Sequence, residues 1–276
     1  RDNYRYAFTG AAIGSAASVY GVSIDNSGDI EAYASNDLYF GAAVAIGINA
    51  EAYADITISN TGDISLSGSS GDGYARSGYY PNYIYVTGDF TGTGINAESI
   101  QGSISVANSG AITITDLNEG GAITGGYRSG DKLTGISAKT VLGDSTVSNS
   151  GDINLSGGES AYGIIATTDS LTEYYDCPPP YDNGYYICFD RTGGGDATVS
   201  NSGDITITTG MEQEFAFSYG AGITVGTGKY GGNATVTNSG DITVIITGEG
   251  GASGISARST GKYSTGNSIV SNSGDI

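Results

Sequence analysis

The stretch Ala197-Thr198-Val199-Ser200-Asn201-Ser202-Gly203-Asp204-Ile205-Thr206-Ile207 decides the fold of this chain. Side chains along a strand point to alternate faces, so Val199 and Asn201 share one face while Thr198 and Ser200 share the other. After the Asn-Ser-Gly corner, Ile205 and Ile207 again face together. The same arrangement returns at Val147/Ile153/Leu155 and at Val236/Ile242/Val244. The corner itself, Asn-Ser/Thr-Gly-Asp-Ile, recurs with its Asn at Asn26, Asn60, Asn108, Asn149, Asn201, Asn238 and Asn272. Only the copy at Asn108 departs, with Ala111 in place of Asp. The spacings are 34, 48, 41, 52, 37 and 34 residues, which describes one constant unit carrying insertions of different length. A repeat of this period is the signature of a solenoid.

Each unit carries a second landmark upstream: Gly47-Ile48-Asn49-Ala50, Gly94-Ile95-Asn96-Ala97, Gly135-Ile136-Ser137-Ala138, Gly163-Ile164-Ile165-Ala166, Gly222-Ile223-Thr224-Val225 and Gly254-Ile255-Ser256-Ala257. One coil therefore reads as a short strand with Ile and Ala facing in, a variable turn, a second strand, the Asn-Ser-Gly corner and a third strand. The expected fold is all-β, a parallel β-helix (β-solenoid) of about seven three-strand coils with Tyr/Gly-rich loop insertions, in one domain over residues 1–276. The insertions fall at about 68–92, 116–131, 169–196 and 210–219. At an inward-facing corner the motif Asn can hydrogen-bond its own turn and the equivalent Asn above and below, forming a ladder at a coil spacing of about 4.8 Å. The following Gly is expected to supply a positive φ at the corner.

Composition agrees with a thin core rather than a wide one. The chain has 47 Gly, six Phe, one Met and no Trp, and its apolar residues are mostly Ala, Val and Ile. Ten basic against 29 acidic residues give a formal charge of −19, which repels nucleic acid and anionic lipid head groups. No apolar run approaches the roughly 20 residues of a membrane helix, so no membrane insertion is expected in this segment.

The absence of His removes Ser-His-Asp and Cys-His arrangements and the usual zinc sites. Three features carry chemistry nonetheless. Asp29, Asp63, Asp152, Asp204, Asp241 and Asp275 should stack outside one corner, where Ca²⁺ would relieve their repulsion or each would cap its own turn. Cys177 and Cys188 are the only cysteines, with ten residues between them, and in a secreted chain they read as a loop-closing disulfide. Tyr79, Tyr80, Tyr83, Tyr174, Tyr175, Tyr181, Tyr185 and Tyr186 cluster in two insertions, either as contact residues or as packing on the flank. Paired acids for polysaccharide cleavage would have to come from Asp169, Glu173, Asp176 and Asp182.

The coil Gly-Ile-x-Ala … Val-Ser-Asn-Ser-Gly-Asp-Ile resembles the repeats of bacterial autotransporter (type V secretion) passenger domains and related large adhesins. The resemblance spans Gly21 to Ile276 and implies export to the bacterial outer surface, with a membrane β-barrel elsewhere in the protein. Arg1 opens without Met or a signal-peptide pattern, and Asp275-Ile276 ends in mid-motif. The expectation is a piece of a longer passenger, or a subunit whose open end docks on the next copy. The expected function is thus a non-catalytic surface adhesin or structural rod, binding cell-surface or glycan ligands with no cofactor, Ca²⁺ at the Asp stack being the one candidate ion. A self-assembling extracellular filament, partnered with itself head to tail, is second. A polysaccharide-acting enzyme is third.

Overall fold

A computed structural model describes residues 11–18, 21–36, 43–70, 74–75, 84–85, 89–117, 131–169, 171–176, 187–192, 194–210, 217–228, 231–247, 249–259 and 266–276. Three parallel sheets run along the molecule. Sheet I stacks Ala11–Ser18, Ala43–Ala52, Phe90–Ser99, Lys132–Thr140, Ser160–Thr168, Phe217–Thr227 and Glu249–Ser259 in that order. Sheet II stacks Val22–Asn26, Ile56–Asn60, Ile104–Asn108, Ser145–Asn149, Ala197–Asn201, Ala234–Asn238 and Ser268–Asn272. Sheet III stacks Ile30–Asn36, Ile64–Ser70, Ile112–Asp116, Ile153–Ser156, Ile205–Gly210 and Ile242–Thr247. Each coil visits the sheets in this order, so the chain is a parallel β-helix.

The register is set by identity. Val106 lies beside Val147 and Asn108 beside Asn149, and the same residues align again on the next coil at Val199 and Asn201. The alternating pattern accounts for this. In Ile104–Asn108 the inward residues are buried and the outward ones exposed, and a shift by one residue would exchange the two faces. The core is a column of Ile, Val and Ala that includes Ile56, Ile104, Val147, Val199 and Val236, with Ile48, Ile95, Ile136, Ile164 and Ile223 from sheet I. Each buried Ile or Val contributes about 1.5–3 kcal/mol.

Three expectations are corrected. The strand bearing Gly-Ile-x-Ala is the longest of the coil, not a short one: Ala43–Ala52 and Phe90–Ser99 each have ten residues. Its alternation slips at the glycine, because Gly47 and Ile48 are both buried, and the ladder of paired residues skips from Ile46 to Ile48. A Cβ on Gly47 would press on Ile64, one on Gly94 on Ile112 and one on Gly135 on Ile153. The Gly of one landmark is thus shaped to the Ile of the other.

Second, the motif Gly does not adopt positive φ. Among the described residues only Gly157 (φ 90°) and Gly158 (φ 75°) do. The motif glycines answer to space instead. A Cβ on Gly62 would run into the Gly28 carbonyl, on Gly110 into that of Gly62, on Gly151 into that of Gly110, and so on to Gly274. Third, the insertions are narrower than the sequence pattern gives. Gly68 pairs with Asp116 inside sheet III, Phe90 opens a sheet I strand, Asp196 leads directly into sheet II, and Tyr219 pairs with Ser160 in sheet I.

The insertions enter at two corners. Chain 71–88, 118–130 and 211–216 lies between sheets III and I, while 170–193 lies between sheets I and II. The last carries an antiparallel pair, Leu171–Asp176 with Ile187–Thr192, and the first carries Tyr74–Ala75 with Ile84–Tyr85.

The glycine column gives a direct test. Gly151→Ala should lower stability by about 1–3 kcal/mol, because the new methyl meets backbone that cannot move aside. Gly28→Ala, whose Cβ meets no described atom within 4 Å, should change it by less than about 0.5 kcal/mol. Urea unfolding followed by far-UV circular dichroism measures both; equal losses would show that backbone conformation, and not stacking, selects the glycine.

Candidate functional site

The surface chemistry is built from columns of like residues, one per coil. The innermost is the Asn ladder. Asn60 Nδ2 donates to Asn108 Oδ1 at 2.7 Å, Asn108 to Asn149 at 2.8 Å, Asn149 to Asn201 at 2.7 Å and Asn201 to Asn238 at 2.7 Å. Asn26 and Asn272 close the column at its two ends, through Asn60 and Asn238. Each amide also donates to the carbonyl two residues on, as Asn149 does to Gly151 at 2.7 Å. Asn60, Asn108, Asn149, Asn201 and Asn238 are buried, so these bonds satisfy groups that water does not reach.

The six motif Asp side chains line up on the exposed side of the same corner. Their carboxylates serve the next coil. Asp29 accepts the Asp63 N–H at 3.0 Å, Asp63 the Ala111 N–H at 2.8 Å, Asp152 the Asp204 N–H at 3.0 Å, Asp204 the Asp241 N–H at 2.9 Å and Asp241 the Asp275 N–H at 2.9 Å. Neither a Ca²⁺ ion nor a cap on the same turn is needed to explain the carboxylate at this position. Among the described residues no three His, Cys, Asp or Glu side chains are grouped to hold a metal ion.

A second column of this kind, which the motif search missed, stands at the sheet I–II corner. Asp55 accepts the Ser103 N–H at 2.8 Å, Ser103 Oγ the Asp144 N–H at 3.1 Å, Asp144 the Asp196 N–H at 2.9 Å, Asp196 the Asn233 N–H at 2.6 Å and Asn233 Oδ1 the Asn267 N–H at 2.9 Å. Each of these residues lies five positions before a motif Asn, so aligning the copies on that Asn reveals the column. Beside it, hydroxyls at the ends of the sheet I strands donate to turn carbonyls: Ser99 to Ala54 at 2.9 Å, Thr140 to Gly102 at 2.8 Å and Thr168 to Gly195 at 2.9 Å.

The same corner forms an open groove of about 410 Å³ across four coils. One wall is the row Glu51, Glu98, Lys139 and Thr167; the other is Tyr53, Ile100, Val141 and Asp169. Tyr53 is 52 % exposed and Ile100 38 %, so both offer apolar surface to the groove. Further along sheet I, Lys132 Nζ sits 5.6 Å from the centre of the Tyr162 ring, and the Tyr162 and Tyr219 rings are 5.7 Å apart. Partial burial, together with repulsion from Lys139, lowers the Lys132 pKa. Burial raises that of Tyr162, with Tyr219 adding to it.

Of the expected contact residues, Tyr174 and Tyr175 lie in the strand Leu171–Asp176, where Tyr175 pairs with Cys188. Tyr79, Tyr80, Tyr83, Tyr181, Tyr185 and Tyr186 lie outside the described residues, as does Cys177. Of the four loop acids, Asp169 lines the groove, Glu173 and Asp176 are in the hairpin, and Asp182 lies outside the described residues. The chain matches no protein-family model, no curated protein and no solved structure.

The one break in the Asp column is the test of its worth. Ala111 has no side-chain acceptor for the Asp152 N–H, which stacks above it. Ala111→Asn should raise stability by about 0.5–1.5 kcal/mol by supplying that acceptor. Ala111→Asp should gain less at low salt, where it repels Asp63 and Asp152, and approach the Asn variant as salt screens the column. Melting curves of the three proteins at low and high NaCl, a range of about 25-fold in ionic strength, measure the order.

Proposed function

We propose that the chain is a non-catalytic β-solenoid rod of a bacterial cell surface, of the kind found in autotransporter passengers, displaying its groove and insertions to cell-surface or glycan ligands. One observation supports this reading above others. The residues constant from coil to coil are engaged in stacking: Ile and Ala in the core, Asn in its ladder, Gly in the glycine column, Asp and Ser in backbone acceptor columns. Variation in length falls at the corners, where the insertions stand, and variation in residue type falls on the outward positions that include the groove side chains. The disulfide between Cys177 and Cys188 is part of the proposal, closing the insertion that follows Asp169.

A filament of copies stacked head to tail is the second reading. It rests on the sameness of every coil junction, which makes the two faces of any coil complementary to those of any other.

Deleting 171–192 with a short Gly-Ser bridge, and separately making Tyr53→Ser with Ile100→Ser, tests the assignment. Both proteins should keep a wild-type far-UV spectrum while binding of fluorescent protein to cells or to an immobilised glycan panel falls at least about tenfold, the loss expected when central contact residues go. Undiminished binding by both would refute the placement of the contact surface. Long filaments of wild-type protein in electron micrographs, unaffected by either change, would put the second reading first.

A further inference from the structure

Among the described residues the buried polar side chains are Asn amides, Ser and Thr hydroxyls, and two carboxyls, Asp116 and Asp131. Asp116 ends the sheet III strand Ile112–Asp116, and Asp131 stands immediately before the sheet I strand Lys132–Thr140, with chain 118–130 running between them. Their exposures are 8 % and 6 %. The two side chains hydrogen-bond one another. Asp131 Oδ1 also accepts the Phe90 N–H at 2.5 Å, and the Asp131 carbonyl accepts the N–H groups of Glu159 at 3.1 Å and Ser160 at 3.0 Å. One residue thus ties together three successive coils.

Two carboxyl groups form a hydrogen bond only when one of them holds a proton. The surroundings favour keeping it. Burial, first, and then the charge of Asp116 raise the Asp131 pKa to about 8, with Asp89 adding and the Phe90 N–H opposing. The charged groups acting on Asp131 are therefore of one sign. Lys132, next in the chain, is exposed and turns to the Tyr162 ring. From the following coil comes the turn Gly157-Gly158-Glu159: a Cβ on Gly157 would press on Asp116, and Glu159 meets Asp131 through its backbone N–H.

We propose that Asp116 and Asp131 form a one-proton clasp that holds the third, fourth and fifth coils together at the base of the 118–130 insertion and loosens that junction when the proton leaves. The direction follows from linkage. An Asp in the unfolded chain ionises near its ordinary value, whereas Asp131 in the folded rod keeps its proton to about 8. The folded state therefore binds more protons between those limits, and stability falls as pH rises from about 4 to about 8. The junction is tightest in acid and loosest in alkali.

Asp131→Asn is the informative variant. Its carbonyl oxygen can accept the Phe90 N–H and its amide can donate to the Asp116 carboxylate, so the geometry persists without a titrating proton. Hydrogen exchange, corrected for intrinsic rates, should show protection of the Phe90 and Ser160 amides falling at least about tenfold between pH 6 and 9 in the wild type. It should change less than about twofold in the variant. Carboxyl carbon NMR of the unaltered protein provides a second measurement that does not depend on the variant folding: one carboxyl of the pair should titrate above pH 6. Both titrating below pH 5, or equal loss of protection in wild type and variant, would overturn the clasp. So would loss of the pH dependence on adding CaCl₂, which would make the pair a cation site instead.

Discussion

Coils of a parallel β-helix lie about 4.8 Å apart, and at that distance each side chain meets chiefly the residue in the same place one coil away. This single constraint governs the rest of the molecule. An inward Asn is buried where no water can serve it, and its amide finds a partner because the neighbouring coil also presents an Asn. The amides all donate in one direction along the rod, so each bond polarises the next. A side chain that would be a liability alone becomes a fixed register mark when repeated.

The same constraint explains why glycine fills two of the constant positions. At the Asn-Ser-Gly corner the backbone of one coil rests on the carbonyl of the last, and at Gly-Ile-x-Ala it rests on the Ile of the third strand as well as on backbone. Neither site has room for a Cβ. The corner glycine is therefore a consequence of stacking and not of turn conformation, and it appears in every copy for the reason the Asn does. Positive φ is found where there is a tight turn without a repeat partner, at Gly157 and Gly158.

Since each coil contacts only its neighbours, stability accumulates junction by junction, and a corner can lengthen without disturbing the columns on either side. Sequence variation accordingly gathers at the two corners next to sheet I. There the ordinary rules of a surface return: an exposed aromatic and an aliphatic side chain line a groove, lysine lies over a tyrosine ring, and two acids are followed by a lysine along a row. The Asp116–Asp131 pair belongs to this setting too. It sits where an insertion interrupts the repeat, and there one buried carboxyl meets another.

The sequence by itself determined the fold class, the number of coils, the inward and outward faces and the Asn ladder, because each rests on short-range alternation and on identity between copies. The column of Asp55, Ser103, Asp144, Asp196, Asn233 and Asn267 was equally present in the sequence, but its residue types differ, so it becomes visible only when copies are aligned on the motif Asn. The tertiary structure alone decided the matters of distance. It showed that the motif Asp faces a neighbour's N–H, that glycine is selected by a carbonyl one coil away, and that the alternation of the long sheet I strand slips at its glycine. It also brought Tyr53 beside Ile100, 47 residues on, and Asp116 against Asp131 across an insertion. Those meetings depend on insertion lengths, which carry no periodic signal, and on the stacking of coils, which no single strand contains.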